Sequence, residues 1–194
     1  MMEPEWHTPW FESRAGTETA RCRLYLAHRR ITMIGNRGYA MYIREWVRIE
    51  QDKTAWGDMP KHAPEGWQYI GSGCFRSAYL SPDKVVYKVQ QTPGLQSGQA
   101  NIQEYKKWWD IRLQHKMPKG SRLPIMCFFE FDGHDDVNAM EYIGKTLNRY
   151  GGLDYDEYAT TLRRVSTRLR LWDMHHGNAA VDEKNKLIVP IDLG

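Results

Sequence analysis

Three cysteines in 194 residues, Cys22, Cys74 and Cys127, stand far apart and form no Cys-x-x-Cys pair. An odd, scattered set excludes a disulfide framework and a cysteine-rich zinc site. Long apolar runs are missing too: stretches such as Leu187–Ile191 are far too short to cross a bilayer. The N-terminus, MMEPEWHTPW, is acidic and broken by prolines, so it does not read as a signal peptide. Neither sign of charge dominates. The 27 basic and 24 acidic residues leave +3, too mild to imply a nucleic-acid or membrane partner. No internal repeat is visible. What is present is 41% apolar and 12% aromatic residues, which excludes a disordered chain. The length is enough for one domain with a real core, with or without an appendage. The expectation is a soluble, reduced, cytoplasmic protein.

The segment Trp56–Gly66, rich in proline and glycine between charged residues, reads as a linker. Before it, Tyr39, Tyr42, Ile43, Trp46 and Val47 fall on one apolar face of a helix over Arg37–Glu50. Thr17–Ile34 fits a second helix ending at Gly35-Asn36, or a strand. Seven arginines and one acid lie between Arg21 and Arg48. A phosphate-binding face and a solvated helical face are both open, and the second is the commoner fate of such a run. After the linker, Trp67–Ile70, Ala78–Leu80 and Val85–Val89 are short strand-like runs. Gln91–Gln99 is a polar loop, and Ala100–His115 a helix. Ile125–Phe131 and Val137–Ile143 are apolar runs joined as a hairpin through Asp132–Asp135. Asp154–Leu171 is an amphipathic helix with Tyr158, Leu162, Val165 and Leu169 on one face, acids in its first turn and arginines later. Ala179–Asp182 and Leu187–Ile191 close the chain as a hairpin. This order predicts an α+β fold with a mainly antiparallel sheet.

Five features carry chemistry. Gly71-Ser72-Gly73 with Phe75 and Arg76 lies between two strand-like runs, where glycines let a backbone pass close over phosphates. No Gly-Lys-Ser/Thr follows and no helix follows, so this is neither a P-loop nor a dinucleotide fingerprint. Lys88 is a charge inside an apolar strand, which is costly to bury unless paired; an edge-strand lysine facing solvent is the bland alternative. Glu104, on the next helix, is its natural partner. Trp172-Asp-Met-His-His-Gly-Asn178 places Asp173 five residues before Asn178, a proton acceptor beside an oxygen ligand for Mg²⁺. Pro190-Ile-Asp-Leu-Gly194 sets Asp192 directly after an apolar strand, as a rigid metal carboxylate requires.

Taken in order, glycine hairpin, strand lysine, helix glutamate, Asp-x-x-x-x-Asn and Asp-Leu-Gly resemble the protein-kinase signature set. Met140–Gly144 is similar to the hinge between kinase lobes. The resemblance spans Trp67–Gly194 and extends to the early Ser/Thr protein kinases of podoviruses that infect enteric bacteria. They share the glycine hairpin with Phe and Ala-Tyr, the apolar-Lys-Val strand and the aromatic-Asp-Met-His-x-Gly-Asn loop. The loop is also similar to those of aminoglycoside phosphotransferases and other atypical kinases.

The resemblance implies a kinase-like fold in three parts: an N-terminal accessory segment over 1–65, an antiparallel-sheet N-lobe to the hinge over 66–144, and a strongly truncated C-lobe over 145–194. It implies ATP and Mg²⁺ as cofactors. Gly71, Ser72, Gly73, Phe75, Arg76, Lys88, Glu104, Glu141 and Tyr142 would form the nucleotide site. Asp173 would be the catalytic base, with Lys88 and His175 beside it, and Asn178 and Asp192 would hold the metal. The implied partners are protein substrates, host proteins if the chain serves a phage; a homodimer is a separate expectation, the alternative cover for the helix over Asp154–Leu171. Two departures stand out: Arg76 replaces the third glycine, and Trp172 replaces the arginine usual before the base. The chain stops at Gly194, before any activation segment. The helix over Asp154–Leu171 is therefore expected to be covered by residues 1–65, with Trp46 and its aromatic neighbours as filling. Two other functions fit the same motifs: a nucleotide-binding pseudokinase acting through a partner, and a small-molecule kinase of the aminoglycoside type.

Overall fold

The computed structural model describes residues 36–54, 57–73, 75–90, 100–114, 117–131 and 137–193. The expected element over Thr17–Ile34, the loop Gln91–Gln99 and the turn Asp132–Asp135 lie outside the described residues, as do Cys22, Cys74 and Gly194. The fold is α+β with an antiparallel sheet.

Helix α1 spans Arg37–Asp52 and starts at Asn36, whose side-chain oxygen accepts from the Gly38 N–H at 2.8 Å. Its buried stripe is Ala40, Ile43 and Val47, with Arg44 and Gln51. The face is thus turned from the expected aromatic one. Tyr39 and Tyr42 flank it against Trp67, with ring centroids 5.5 and 6.0 Å away, because three broad rings in one stripe would hold the helix off the sheet.

Strands β1 (Gln68–Ser72), β2 (Arg76–Leu80), β3 (Val85–Gln90), β4 (Met126–Phe129) and β5 (Val137–Glu141) form one antiparallel sheet in the order β1-β2-β3-β5-β4. β3 is central and all six of its residues are buried. Register aligns Ala78, Lys88 and Asn138 across β2, β3 and β5, so these three share one face. That face meets helix α2 (Ala100–Gln114), whose Trp108 is fully buried and donates to the Pro124 carbonyl at 2.8 Å. The opposite face, with Tyr79 and Tyr87, meets α1: the Asn36 N–H donates to the Tyr87 hydroxyl at 3.0 Å, and Trp46 lies edge-on to Tyr79 at 5.9 Å.

A smaller layer follows. Helix α3 (Tyr155–Leu169) packs on the hairpin of β6 (Ala179–Asp182) and β7 (Leu187–Pro190). Leu162 and Val165 are 2% and 0% exposed. The expected cover by Trp46 is therefore corrected: Trp46 sits on the sheet beside Tyr79 and His62. The reason is local, because the β6–β7 hairpin folds straight back onto the helix's apolar stripe. Bridges Ser121↔Ile188 and Thr146↔Ala180 join this layer to the segments flanking β4 and β5.

Candidate active site

Lys88 projects from the central strand and is 7% exposed, so the edge-strand alternative fails. Its ammonium donates to Glu104 at 2.6 Å and to the Ile191 carbonyl at 2.6 Å, and lies 4.0 Å from Asp192. Strand β3, helix α2 and the Ile191–Asp192 segment thus meet at one amine. Glu104 accepts four hydrogen bonds. One oxygen takes Lys88 and, at 3.2 Å, the Leu193 N–H; the other takes Arg76 at 2.6 Å and the Asn138 amide at 3.0 Å. That fills the acceptor capacity of a carboxylate and compensates its complete burial.

Arg76 is the departure from the expected loop, and it has a defined place. Its second arm donates to Asp192 at 2.8 Å, while the first also reaches Asn101 at 3.2 Å. Burial disfavours the guanidinium's charge, but Glu104 and Asp192 outweigh that and raise its pKa. Gly71 and Gly73 hold the turn before it, where the Gly73 N–H donates to the Arg76 carbonyl at 2.9 Å. Neither glycine has a positive φ, and a Cβ at either would meet nothing within 4 Å. The chain's own packing therefore does not demand glycine at these positions; they leave clearance above the loop. Ser72 and Phe75 are exposed on the same turn.

The loop after α3 brings the next set together. The Asn178 amide nitrogen donates to the Asp173 carbonyl at 2.8 Å and to its carboxylate at 3.3 Å. The amide is thereby turned so that its oxygen takes no part in either bond. The Asn178 carbonyl accepts from the Ile191 N–H at 2.8 Å and the Asp192 N–H at 3.3 Å, which couples the loop to the segment of Asp192. His175 is less engaged: its Nδ1 accepts from the Gly177 N–H at 3.0 Å and its Nε2 lies 4.0 Å from Asp173. His176 instead binds the Tyr155 hydroxyl at 2.7 Å. A cleft of about 650 Å³ beside this loop is lined by Leu162, Ser166, Met174 and His175 and includes none of Lys88, Glu104 or Asp192.

Glu141 is placed differently from expectation. Its carboxylate binds Arg122 and the Ile125 N–H, and its own N–H donates to the Ile125 carbonyl. The Tyr142 N–H donates to the Lys84 carbonyl at 3.2 Å. Those donors serve the fold rather than a ligand, and Tyr142 offers only a half-exposed ring. Gly144 closes the segment at φ +145°, where a Cβ would come within 3.3 Å of the Val181 carbonyl.

Sequence reasoning missed Asn101 and Asn138. Asn138 had a signal, a polar residue inside an apolar strand, the same one that singled out Lys88. Asn101 had only its spacing, three residues before Glu104 on the helix.

No protein-family model matches the sequence, and no curated protein matches it. Solved structures do match. One, described as "PpkA-294 apo form", is 16% identical with a TM-score of 0.40, over 71% of this chain and 62% of that one. The chain thus spans about 62% of the length of the structure it matches. A likeness of that degree does not place the chain in a family.

Among the described residues, no three His, Cys, Asp or Glu side chains gather as a metal site, and no helix is long and apolar enough to cross a membrane. Mg²⁺ does not require such a cluster, because it keeps waters and takes substrate phosphate oxygens beside one or two protein ligands. The oxygen ligands present, the Asp192 carboxylate and the Asn178 amide, are of the type it takes.

Proposed function

We propose that the chain is an ATP- and Mg²⁺-dependent phosphotransferase with a protein-kinase-like arrangement, acting on protein Ser/Thr hydroxyls, its own included. The observation that carries this reading is the buried Lys88–Glu104 pair with Asp192 4.0 Å from the same amine, under a glycine turn with open space above it. A fold spends a buried lysine and a saturated carboxylate at one point when a fixed positive charge is needed there. Residues 66–144 would form one lobe and 145–194 the other, about Met140–Gly144.

Phosphoryl transfer asks mainly for positioning and charge neutralisation. Lys88 would bind phosphate oxygens, held in place by Glu104. Asp173, three-quarters exposed and oriented by Asn178, would accept the proton of the attacking hydroxyl. Asn178 and Asp192 would hold Mg²⁺, which when bound neutralises charge on the phosphates. His175, 4.0 Å from Asp173, would lie near the transferred group, as the resemblance of the loop implies. Host proteins as substrates follow from the phage resemblance of the motifs.

A second reading has an observation of its own. Arg76 occupies Asp192 at 2.8 Å, which favours a nucleotide-binding pseudokinase that works through a partner. Incubation of the full chain with γ-labelled ATP and Mg²⁺, with and without a host lysate, separates the two. Label that vanishes in Asp192→Ala and falls about 10²–10⁴-fold in Asp173→Asn is the expected result. A folded protein that binds ATP but transfers no label supports the pseudokinase; one that does neither overturns both.

A further inference from the structure

The two arms of the Arg76 guanidinium have different anchors. One is fixed between Glu104 and Asn101, which are 2% and 0% exposed. The other rests on Asp192, whose side chain is 33% exposed and the most accessible member of the cluster. Two cations, Arg76 and Lys88, face two carboxylates, Glu104 and Asp192, and the four side chains sum to zero charge. The charges of the cluster are therefore balanced among its own side chains. A divalent cation arriving at Asp192 meets a carboxylate already paired, with a guanidinium directly beside it. A phosphate arriving at the same point meets a planar fork of donors suited to its oxygens.

We propose that Arg76 is a latch on this site, holding Asp192 in the nucleotide-free protein and passing one arm to a phosphate oxygen when the nucleotide and Mg²⁺ enter. This rests on the phosphotransferase reading and adds a regulatory step to it. The arm on Glu104 stays as the pivot. The arm on Asp192 leaves, and the carboxylate becomes a metal ligand. Two consequences follow for binding. Nucleotide binds without metal, because Arg76 supplies a cation. Mg²⁺ is taken up less readily than at a free carboxylate, because it must displace that cation.

The test is a titration of the full chain with a fluorescent mant-ATP, first in EDTA and then at stepped Mg²⁺, with melting curves to confirm folding. Wild type should bind in EDTA. Arg76→Ala should lose about tenfold in EDTA affinity, as for a charged hydrogen bond, and reach half-maximal response at severalfold less Mg²⁺. Arg76→Gln, which keeps a donor but no charge, should behave alike and carries the test if the alanine variant does not fold. Arg76→Lys should retain most of the EDTA binding. Variants that bind like wild type under both conditions overturn the latch, as does a wild type that binds only with Mg²⁺; both leave the phosphotransferase reading standing. A folded wild type that binds mant-ATP under neither condition overturns the reading and the latch together.

Discussion

Glu104 is saturated by four donors, and that fixes how substitutions around it differ. Removing Glu104 leaves two buried cations, Lys88 and Arg76, to share Asp192 as their one remaining carboxylate partner, so Glu104→Ala should cost about 3–5 kcal/mol. Removing Lys88 strands nothing comparable, because Glu104 keeps Arg76, Asn138 and the Leu193 N–H. Lys88→Met should therefore keep most of the stability while losing nucleotide binding. Urea melts of both variants check this, and equal losses would show that Arg76 does not compensate. The same cluster shows what single residues disclose in a sequence. Lys88 was legible because a charge in an apolar strand has few bland explanations once the strand is central. Arg76 was legible as a departure but not as a bridge, since its partners lie 28 and 116 residues away. Glu141, assigned to the nucleotide site only through the resemblance of Met140–Gly144 to a hinge, has its carboxylate held by Arg122, whose own position in a loop gave no warning.

At the scale of elements, the periodic pattern was reliable where the buried stripe is mostly apolar. Helix α3 is such a case, with four of five buried residues apolar and Thr161 the polar one, and its boundaries fall within two residues of expectation. Helix α2 is the opposite case. Its inward stripe is Asn101, Glu104, Trp108 and Ile111, half of it polar, so apolar spacing could locate the helix but not its face. In α1 the aromatic residues pointed to a face that steric bulk then displaced to the flank. The end of α3 yields a prediction. Arg170 caps it in the left-handed region at φ 53°, its N–H donating to the Ser166 carbonyl, and its side chain is exposed. An L side chain is strained there and glycine is not. Arg170→Gly should raise stability by about 0.5–1 kcal/mol, read as a higher melting temperature. A lower melting temperature would mean that the arginine makes contacts worth more than the strain.

Among the described residues a second ion cluster, apart from that of Arg76, Lys88 and Asp192, joins the two layers. Arg122 donates to Asp182 on β6 at 3.0 and 2.8 Å, and pairs with Glu141 at the end of β5. The sequence showed the two layers and their order but not this tie, because its three members lie in a loop, at a strand end and in a hairpin with no shared spacing. Burial raises the pKa of Asp182, but hydrogen bonds from Asn185 and Arg122 outweigh it and hold the carboxyl below its ordinary value. A carboxylate with a depressed folded pKa contributes stability that is complete above its unfolded pKa, about 3.9. That contribution is lost as the pH falls through the lower, folded value. Asp182→Asn should therefore be less stable than wild type near pH 7. The gap should narrow as the pH drops below about 4, and it should close once the native carboxyl is protonated. Denaturant melts of both proteins from pH 7 to pH 2.5 measure the gap directly. A gap that stays constant over that range would show that Asp182 joins the layers by shape and neutral hydrogen bonds alone, with its charge contributing nothing to the tie between β6 and the end of β5.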